Sequence, residues 1–139
     1  MLTNTRTIRV QWGDCDPAGI VFYPRYFEWF DASTILLFEK ATGMTKIKML
    51  EKYNGAGLAL VEARAKFCIP SQYGDDIQIE TQVSEFRRSS FSMHHKVFKG
   101  DTLALEGFET RVWTARDPET NRMRGQPIPP EVLACFQKT

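Results

Sequence analysis

The main change of hydrophobic period falls near position 57, after a helical stretch and before a strand-rich one. In the helical stretch Phe27, Phe30, Thr34, Leu37, Phe38 and Ala41 recur at steps of three and four. That spacing puts them on one face of an α-helix. Pro24 suits the first position of this helix, where a backbone N–H would be unpaired in any case, and Gly43 marks its stop. Ahead of it, Ile8, Val10 and Trp12 alternate with Arg9 and Gln11, which predicts a strand over 7–12. Positions 13–19 are rich in Gly, Asp and Pro and read as a loop. A short second helix is expected over 45–52, broken by 54–57.

From position 57 the period is two. Ala59, Val61, Ala63, Ala65, Phe67 and Ile69 share one face of a strand over 57–69. Its small side chains suggest the place where a helix backbone lies close to the sheet. After a connection at 70–74, Ile77, Ile79, Thr81 and Val83 alternate with Gln78, Glu80 and Gln82. Phe91, Met93, His95 and Val97 alternate next, a turn follows at Lys99-Gly100-Asp101, and 103–115 reads as another long strand. A polar turn at 117–121, a short strand over 122–125 and a terminal helix from Pro129-Pro130 through Phe136 complete the chain. Strand, long helix, then a run of antiparallel-type strands is the order of a single α+β domain spanning 1–139, its sheet curled over the helix. Such a meander leaves edges that pairing with a second copy can cover.

Composition narrows the function classes. At 139 residues, with 42% hydrophobic and 25% charged positions, the chain can bury a core without staples. A formal net charge of +1 lacks the basic excess of a nucleic-acid scaffold. The three cysteines, Cys15, Cys68 and Cys135, are far apart and odd in number, so neither a zinc spacing nor a disulfide framework is implied. Positions 1–7 contain no apolar core of signal-peptide length, and no run approaches a membrane span. A cytoplasmic protein with no membrane or nucleic-acid partner is therefore expected.

The loop before the helix draws attention to Asp14 and Asp16. Asp, Gly and Pro are what turns are made of, and Asp before a helix is often only a cap. Asp16, however, stands well ahead of Pro24, and the intervening Ile20-Val21-Phe22-Tyr23 is apolar. A carboxylate beside such a segment faces a desolvated pocket, where carboxylates become reactive. No Ser, Thr, Asp or Asn precedes Pro24 as a cap. The first N–H groups of the helix are then free for another acceptor, such as a developing oxyanion.

The run Val10-Gln11-Trp12-Gly13-Asp14-Cys15-Asp16-Pro17-Ala18-Gly19-Ile20-Val21-Phe22-Tyr23-Pro24 closely resembles the signature of the 4-hydroxybenzoyl-CoA thioesterases and their relatives. The likeness continues weakly through Asp31. The resemblance implies the hotdog fold, an antiparallel sheet curled around one long central helix. It also implies an acyl-CoA thioesterase acting as a dimer or dimer of dimers, with active sites at the dimer interface. Asp16 is then the catalytic nucleophile or general base. The backbone N–H at Tyr23 is the oxyanion donor, and Gly19 lets the backbone approach the substrate. Arg87, Arg88, Ser89 and Ser90 form the cluster for the CoA phosphates. No metal or separate cofactor is needed, since CoA is part of the substrate. An aromatic acyl group, benzoyl or hydroxybenzoyl, is the first expectation. A short aliphatic acyl group, or a non-catalytic acyl-CoA binder, is the alternative.

Other residues carry open readings. Asp31 falls inside the apolar helix stripe, so it must be paired, either structurally, with a backbone group or a strand Arg, or with a substrate hydroxyl. Arg87 and Arg88 also suit a solvated hairpin tip, and Arg122 and Arg124 are weaker anion candidates. Cys15 reads as packing. His94 and His95 point to opposite faces of a strand, and His95, on the apolar face, reads as a satisfied core or interface histidine. Glu62 is a second-choice carboxylate.

Overall fold

The computed structural model describes residues 1–137. The first strand, β1 (Thr3–Arg9), starts and ends earlier than the alternation over 7–12 suggests. Its partner β3 (Asp76–Phe86) supplies an antiparallel ladder from Thr3↔Gln82 to Arg9↔Asp76, which holds the threonine-rich end of the strand in place. The inward-facing Arg6 is satisfied at 2.9 Å by the Ser33 hydroxyl and the Trp29 carbonyl. Trp12 is not in the strand. It opens a 3₁₀ turn, Trp12–Asp14, and is 74% exposed. The turn wins because the Asp14 carboxylate accepts the Gln11 N–H at 2.8 Å.

Helix α1 (Pro24–Thr42) runs as expected, and Gly43 ends it in the left-handed conformation at φ 70°. Tyr26, Phe30, Ser33, Thr34, Leu37 and Phe38 are buried, while Phe27 is only half-buried. Helix α2 (Lys46–Lys52) is capped by the Thr45 hydroxyl, which accepts the Lys48 N–H at 3.3 Å. The remaining elements are β2 (Gly57–Phe67), β4 (Ser90–Lys99), β5 (Thr102–Arg116), β6 (Met123–Gly125) and α3 (Pro130–Phe136). The antiparallel sheet has the order β1-β3-β4-β5-β2, with β6 also paired to β5. Gly100 at φ 60° forms the tight turn between β4 and β5. Among the described residues no helix is long and apolar enough to cross a membrane.

The sheet wraps the long helix, as an α+β hotdog arrangement requires, but the close approach is not made by the alanines of β2. Among the described residues that strand is an edge, paired only with β5. A bulge between Leu60 and Glu62 reverses its alternation, so Leu58 faces inward before the bulge and Ala65 after it. The helix packs tightly on Gly107 of β5, where any Cβ would overlap the Phe30 ring. Phe30 also stacks on His95 of β4, with ring centroids 4.4 Å apart. Its complete burial contributes about 1.5–3 kcal/mol. One core cluster gathers around Leu37, Phe38, Phe91, Trp113 and Phe136, the other around Tyr26, Phe30, Ile77, Ile79 and Val97.

Candidate active site

The loop between β1 and α1 is folded by its own short polar residues and then tied to the protein. Asp16 Oδ1 accepts the Ala18 N–H at 2.8 Å, the Gly19 N–H donates to the Asp16 carbonyl at 2.9 Å, and the Asp16 N–H donates to the Ile20 carbonyl at 2.9 Å. Gly19, at φ 83°, adopts the left-handed conformation this turn needs. Asp16 is therefore not a helix cap. It closes a turn with one oxygen, and its Oδ2 has no hydrogen-bond partner among the described residues. Asp14 is turn chemistry, as its bond to Gln11 shows, and it lies 3.9 Å from Arg25 Nε. Cys15 is half-buried and packs against the core around Val10, Val21 and Tyr26.

Beyond Gly19 only Val21 turns into the core; Ile20, Phe22 and Tyr23 are exposed, so the apolar 20–23 segment is less desolvated than its composition suggests. The Val21 N–H donates to the Ser71 carbonyl at 2.9 Å, and the Phe22 N–H to the Asp14 carbonyl at 2.8 Å. Tyr23 carries no side-chain cap for α1. The next donors are already satisfied: Arg25 N–H reaches the Phe22 carbonyl at 2.9 Å and Tyr26 N–H the Tyr23 carbonyl at 3.1 Å. Pro24 has no N–H. Among the described residues the Tyr23 N–H donates to no backbone or side-chain acceptor. The free donor set thus narrows to this group, at the positive end of a 19-residue helix.

Beside Tyr23 lies an open cavity of about 330 Å³, walled by Ile20, Val21, Tyr23, Tyr26 and Phe67, with Ser71 in its lining. Phe67 meets Tyr23 and Tyr26 edge-on, at centroid distances of 6.5 and 6.0 Å. Asp16 does not line the cavity; it is bonded to the peptide of Ile20, which does. From the sequence Phe67 has only a place on the β2 face and Ser71 has none, because the end of β2 and the connection at 70–74 come back to the loop only in three dimensions.

Asp31 leaves the apolar face on which its spacing placed it. Its side chain is 64% exposed, and Oδ1 accepts from Arg111 at 2.8 Å. The strand-arginine partner is thus present. Arg111 itself is 3% exposed and also binds both Glu109 oxygens, at 3.1 and 2.9 Å, and the Leu58 carbonyl at 3.1 Å. Glu109 accepts further from Thr34 and His95, each at 3.0 Å, and Thr81 sits 2.8 Å from His95 Nδ1. A carboxylate only accepts, so His95 Nε2 carries the proton and Nδ1 accepts from Thr81. His95 is the satisfied core histidine its alternation suggested. His94, on the other face, pairs with Glu106 at 2.7 Å. The signal for the network was in the sequence: Leu105, Gly107, Glu109, Arg111 and Trp113 share one face of β5, so two charges there had to be buried as a pair.

This network sets an acid limit. Burial lowers the His95 imidazole below its ordinary 6.5, against the opposing pull of Glu109. Burial by itself raises the Glu109 carboxyl, but the hydrogen bonds from His95 and Arg111 and the charge of Arg111 bring it from 4.5 to about 2. Both groups bind fewer protons folded than unfolded. Their stabilisation is full above pH 6.5, falls as the unfolded histidine protonates, and falls again between pH 4.5 and about 2. Urea midpoints measured across that range should decline accordingly, and Glu109→Gln should flatten the lower part of the curve.

The hairpin between β3 and β4 holds the predicted anion cluster. Arg87 is fully engaged, with Nε on the Ser90 hydroxyl at 2.8 Å, one nitrogen on Glu85 at 2.9 Å and the other on Ser92 at 3.0 Å. Ser89 contributes its carbonyl to the Trp113 N–H at 2.8 Å. The side chain of Arg88 is exposed and has no hydrogen-bond partner among the described residues, while its carbonyl accepts the Ile128 N–H at 2.9 Å. Gly125 of β6 lies against Ser89, so Arg124 comes to the same end of the sheet. Glu62 is exposed on edge strand β2, 3.9 Å from Arg64 Nε and away from this loop. Among the described residues no group of three or more His, Cys, Asp or Glu is placed to hold a metal ion.

With that geometry in place, the chain can be compared with known proteins. Residues 10–136 match the model of the thioesterase-like superfamily. The 4-hydroxybenzoyl-CoA thioesterase of Pseudomonas sp. (strain CBS-3) is 35% identical over 131 residues, which is 90% of this chain and 91% of the relative. A crystal structure of 4-hydroxybenzoyl CoA thioesterase, an aspartate-to-asparagine mutant complexed with 4-hydroxybenzoyl CoA, superposes with a TM-score of 0.87 at 32% identity, covering 96% of this chain and 98% of that one. A gentisyl-coenzyme A thioesterase gives a TM-score of 0.80 at 30% identity, covering 97% of this chain and 100% of the other. The hotdog architecture, the matched span and the relatives agree: the chain belongs to the thioesterase-like superfamily.

Proposed function

We propose that this protein is an acyl-CoA thioesterase that hydrolyses an aromatic acyl-CoA to the free acid and CoA. The observation that carries the reading is the pairing of a carboxylate oxygen without a partner, at Asp16, with an unused helix-start donor, at Tyr23, on two ends of one short pinned loop. On this reading the Tyr23 N–H receives the thioester oxygen as it gains charge, a contact typically worth about a hundredfold or more in rate. Asp16 either adds its own oxygen to the carbonyl carbon or takes the proton of a water that does. The carbon–sulfur bond then breaks, the thiolate of CoA leaves and is protonated, and water supplies the oxygen of the acid. A protein that only bound acyl-CoA would have no use for an anion facing a thioester carbonyl.

The cavity supports the aromatic acyl group. A void of about 150 Å³ suffices to hold benzene, and here about 330 Å³ is framed by Tyr23, Tyr26 and Phe67. The named substrates of the relatives, 4-hydroxybenzoyl and gentisyl thioesters, are aromatic as well. A panel of purified thioesters tests this: kcat/KM should be highest for benzoyl-type CoA esters. A clear preference for acetyl- or butyryl-CoA would reassign the cavity to short aliphatic chains.

The CoA phosphates are assigned to the hairpin, with Arg88 as the available cation and Arg124 behind it. Arg87, Ser89 and Ser90 shape the turn that presents Arg88. Arg88→Ala is expected to raise KM for acyl-CoA about tenfold with kcat unchanged, as loss of one charged hydrogen bond implies. An unchanged KM at low salt returns Arg88 to solvent. Asp31 keeps Oδ2 without a described partner and remains a candidate acceptor for a substrate hydroxyl.

A homodimer completes the site. Strand β2 is an unprotected edge carrying Leu60 at 50%, Val61 at 60% and Phe67 at 56% exposure, and Phe67 is also a cavity wall. Edge pairing through β2 would cover these residues and close the cavity from the open side. The edge supports a dimer, or a dimer of dimers, as the working unit, and the reading keeps the protein in the cytoplasm with no metal and no cofactor beyond the CoA of its substrate.

A further inference from the structure

The aromatic walls of the cavity beside Tyr23 are not equivalent. Tyr26 is a fixed, buried wall, held by Trp29 at a centroid distance of 5.3 Å and by Phe30 at 6.5 Å. Phe67 stands at the end of edge strand β2 and stays 56% exposed even though its ring meets both Tyr23 and Tyr26. Its ring plane lies at 84° to Tyr23 and 73° to Tyr26. The backbone beneath it is rigid. Phe67 pairs with Leu105 in the ladder between β2 and β5, and the next two N–H groups, of Cys68 and Ile69, both donate to the Ala104 carbonyl, at 2.9 and 3.0 Å. The side chain is thus held at its root by the sheet and at its ring by two tyrosines, and the remainder of its surface is open.

The crossed rings matter because an aromatic face is negative and an aromatic edge positive. Three rings nearly perpendicular to one another present both kinds of surface to a guest in the cavity of about 330 Å³. An aromatic guest answers them with its own edge or face. A saturated ring of the same size has only its apolar area to offer, and that area is slightly the larger, so burial alone would favour it.

We propose that Phe67 is a specificity-determining residue, whose ring selects a planar aromatic acyl group over a saturated ring of equal size. This rests on the thioesterase reading above and names the residue through which that site prefers its substrate class. Phe67 also lies on the strand assigned to pairing with a second copy, so the test separates a substrate contact from interface packing.

The experiment measures kcat/KM on benzoyl-CoA and cyclohexanecarbonyl-CoA for the wild-type protein, Phe67→Leu and Phe67→Tyr. It also measures equilibrium binding of benzoate and cyclohexanecarboxylate to each, and gel filtration follows their oligomeric state. The two thioesters differ in intrinsic reactivity by the same factor for every variant, so the change in their ratio reports on residue 67. Phe67→Leu, which keeps an apolar side chain, is expected to lower the aromatic-to-saturated ratio about three- to tenfold in both readouts, the size of one aromatic pair. Phe67→Tyr should retain it. An unchanged ratio in Phe67→Leu would overturn the proposal. Equal losses on both rings, with or without a change in oligomeric state, would overturn it too and make Phe67 a packing or interface residue. Free-acid binding does not depend on turnover. A benzoate preference that Phe67→Leu removes, in a protein that hydrolyses no thioester, contradicts the thioesterase reading alone. A wild type that binds neither acid and hydrolyses neither thioester contradicts both.

Discussion

Asp16→Asn should lower kcat for acyl-CoA hydrolysis by at least about a hundredfold while leaving acyl-CoA affinity nearly unchanged, the signature of a group used only in the chemical step. The substitution is informative because it is conservative in structure. Asn keeps the oxygen that accepts the Ala18 N–H at 2.8 Å, so the turn through Gly19 and the placement of Ile20 and Val21 survive. What disappears is the charge and basicity of the second oxygen. A neutral amide neither attacks a thioester nor removes a proton from water. Thermal melting should be unchanged, which separates this outcome from unfolding. A near-normal kcat would return Asp16 to ordinary turn chemistry, as its hydrogen bond to Ala18 alone would suggest.

The second large effect is on stability. Arg111→Leu is expected to cost about 3–5 kcal/mol, because it strands the Glu109 carboxylate in the core. Glu109 is 3% exposed and would keep only Thr34 and His95, while Asp31 and the Leu58 carbonyl would lose their bonds to the guanidinium. For a domain of this size that is a fall in Tm of roughly 10–20 °C. Adding Glu109→Leu should recover much of the loss, since the cost lies in an unpaired charge rather than in the absence of the pair. If the double variant is as unstable as the single one, the packing of the arginine stem matters more than its charge.

These two sites show what the linear sequence carries and what it does not. Helix α1 was legible in full, from Pro24 to Gly43, because a three-and-four spacing and two terminal signals agree. Strands β3, β4 and β5 were legible because one face of each is buried and the two-residue period holds over most of its length, apart from register shifts after Val83 and Val97. Strand β1 was misplaced. Its ladder partner, rather than its own side chains, keeps Thr3 to Thr7 extended, and the Asp14 bond to Gln11 turns Trp12 out of the sheet. The alanines of β2 misled because a bulge reverses the strand's faces, and the helix rests instead on Gly107, a single residue with no periodic signature.

At the site, Asp16, Gly19 and Tyr23 were legible as one contiguous motif. The remaining parts come from chain segments far apart in sequence. Ser71 and Phe67 reach the cavity because the end of β2 returns to the loop, and Arg111 reaches Asp31 across the helix–sheet interface. Arg87 and Arg88 are adjacent in sequence but unequal in space, because hairpin bonds to Glu85, Ser90 and Ser92 use up the first, while the second has no side-chain partner among the described residues.

The most direct measurement is the release of CoA thiol when the wild-type protein is mixed with 4-hydroxybenzoyl-CoA. Saturable release, matched one for one by free 4-hydroxybenzoate and unaffected by a metal chelator, is the predicted result. Release no faster than the uncatalysed rate, from this and every other acyl-CoA offered, would contradict it.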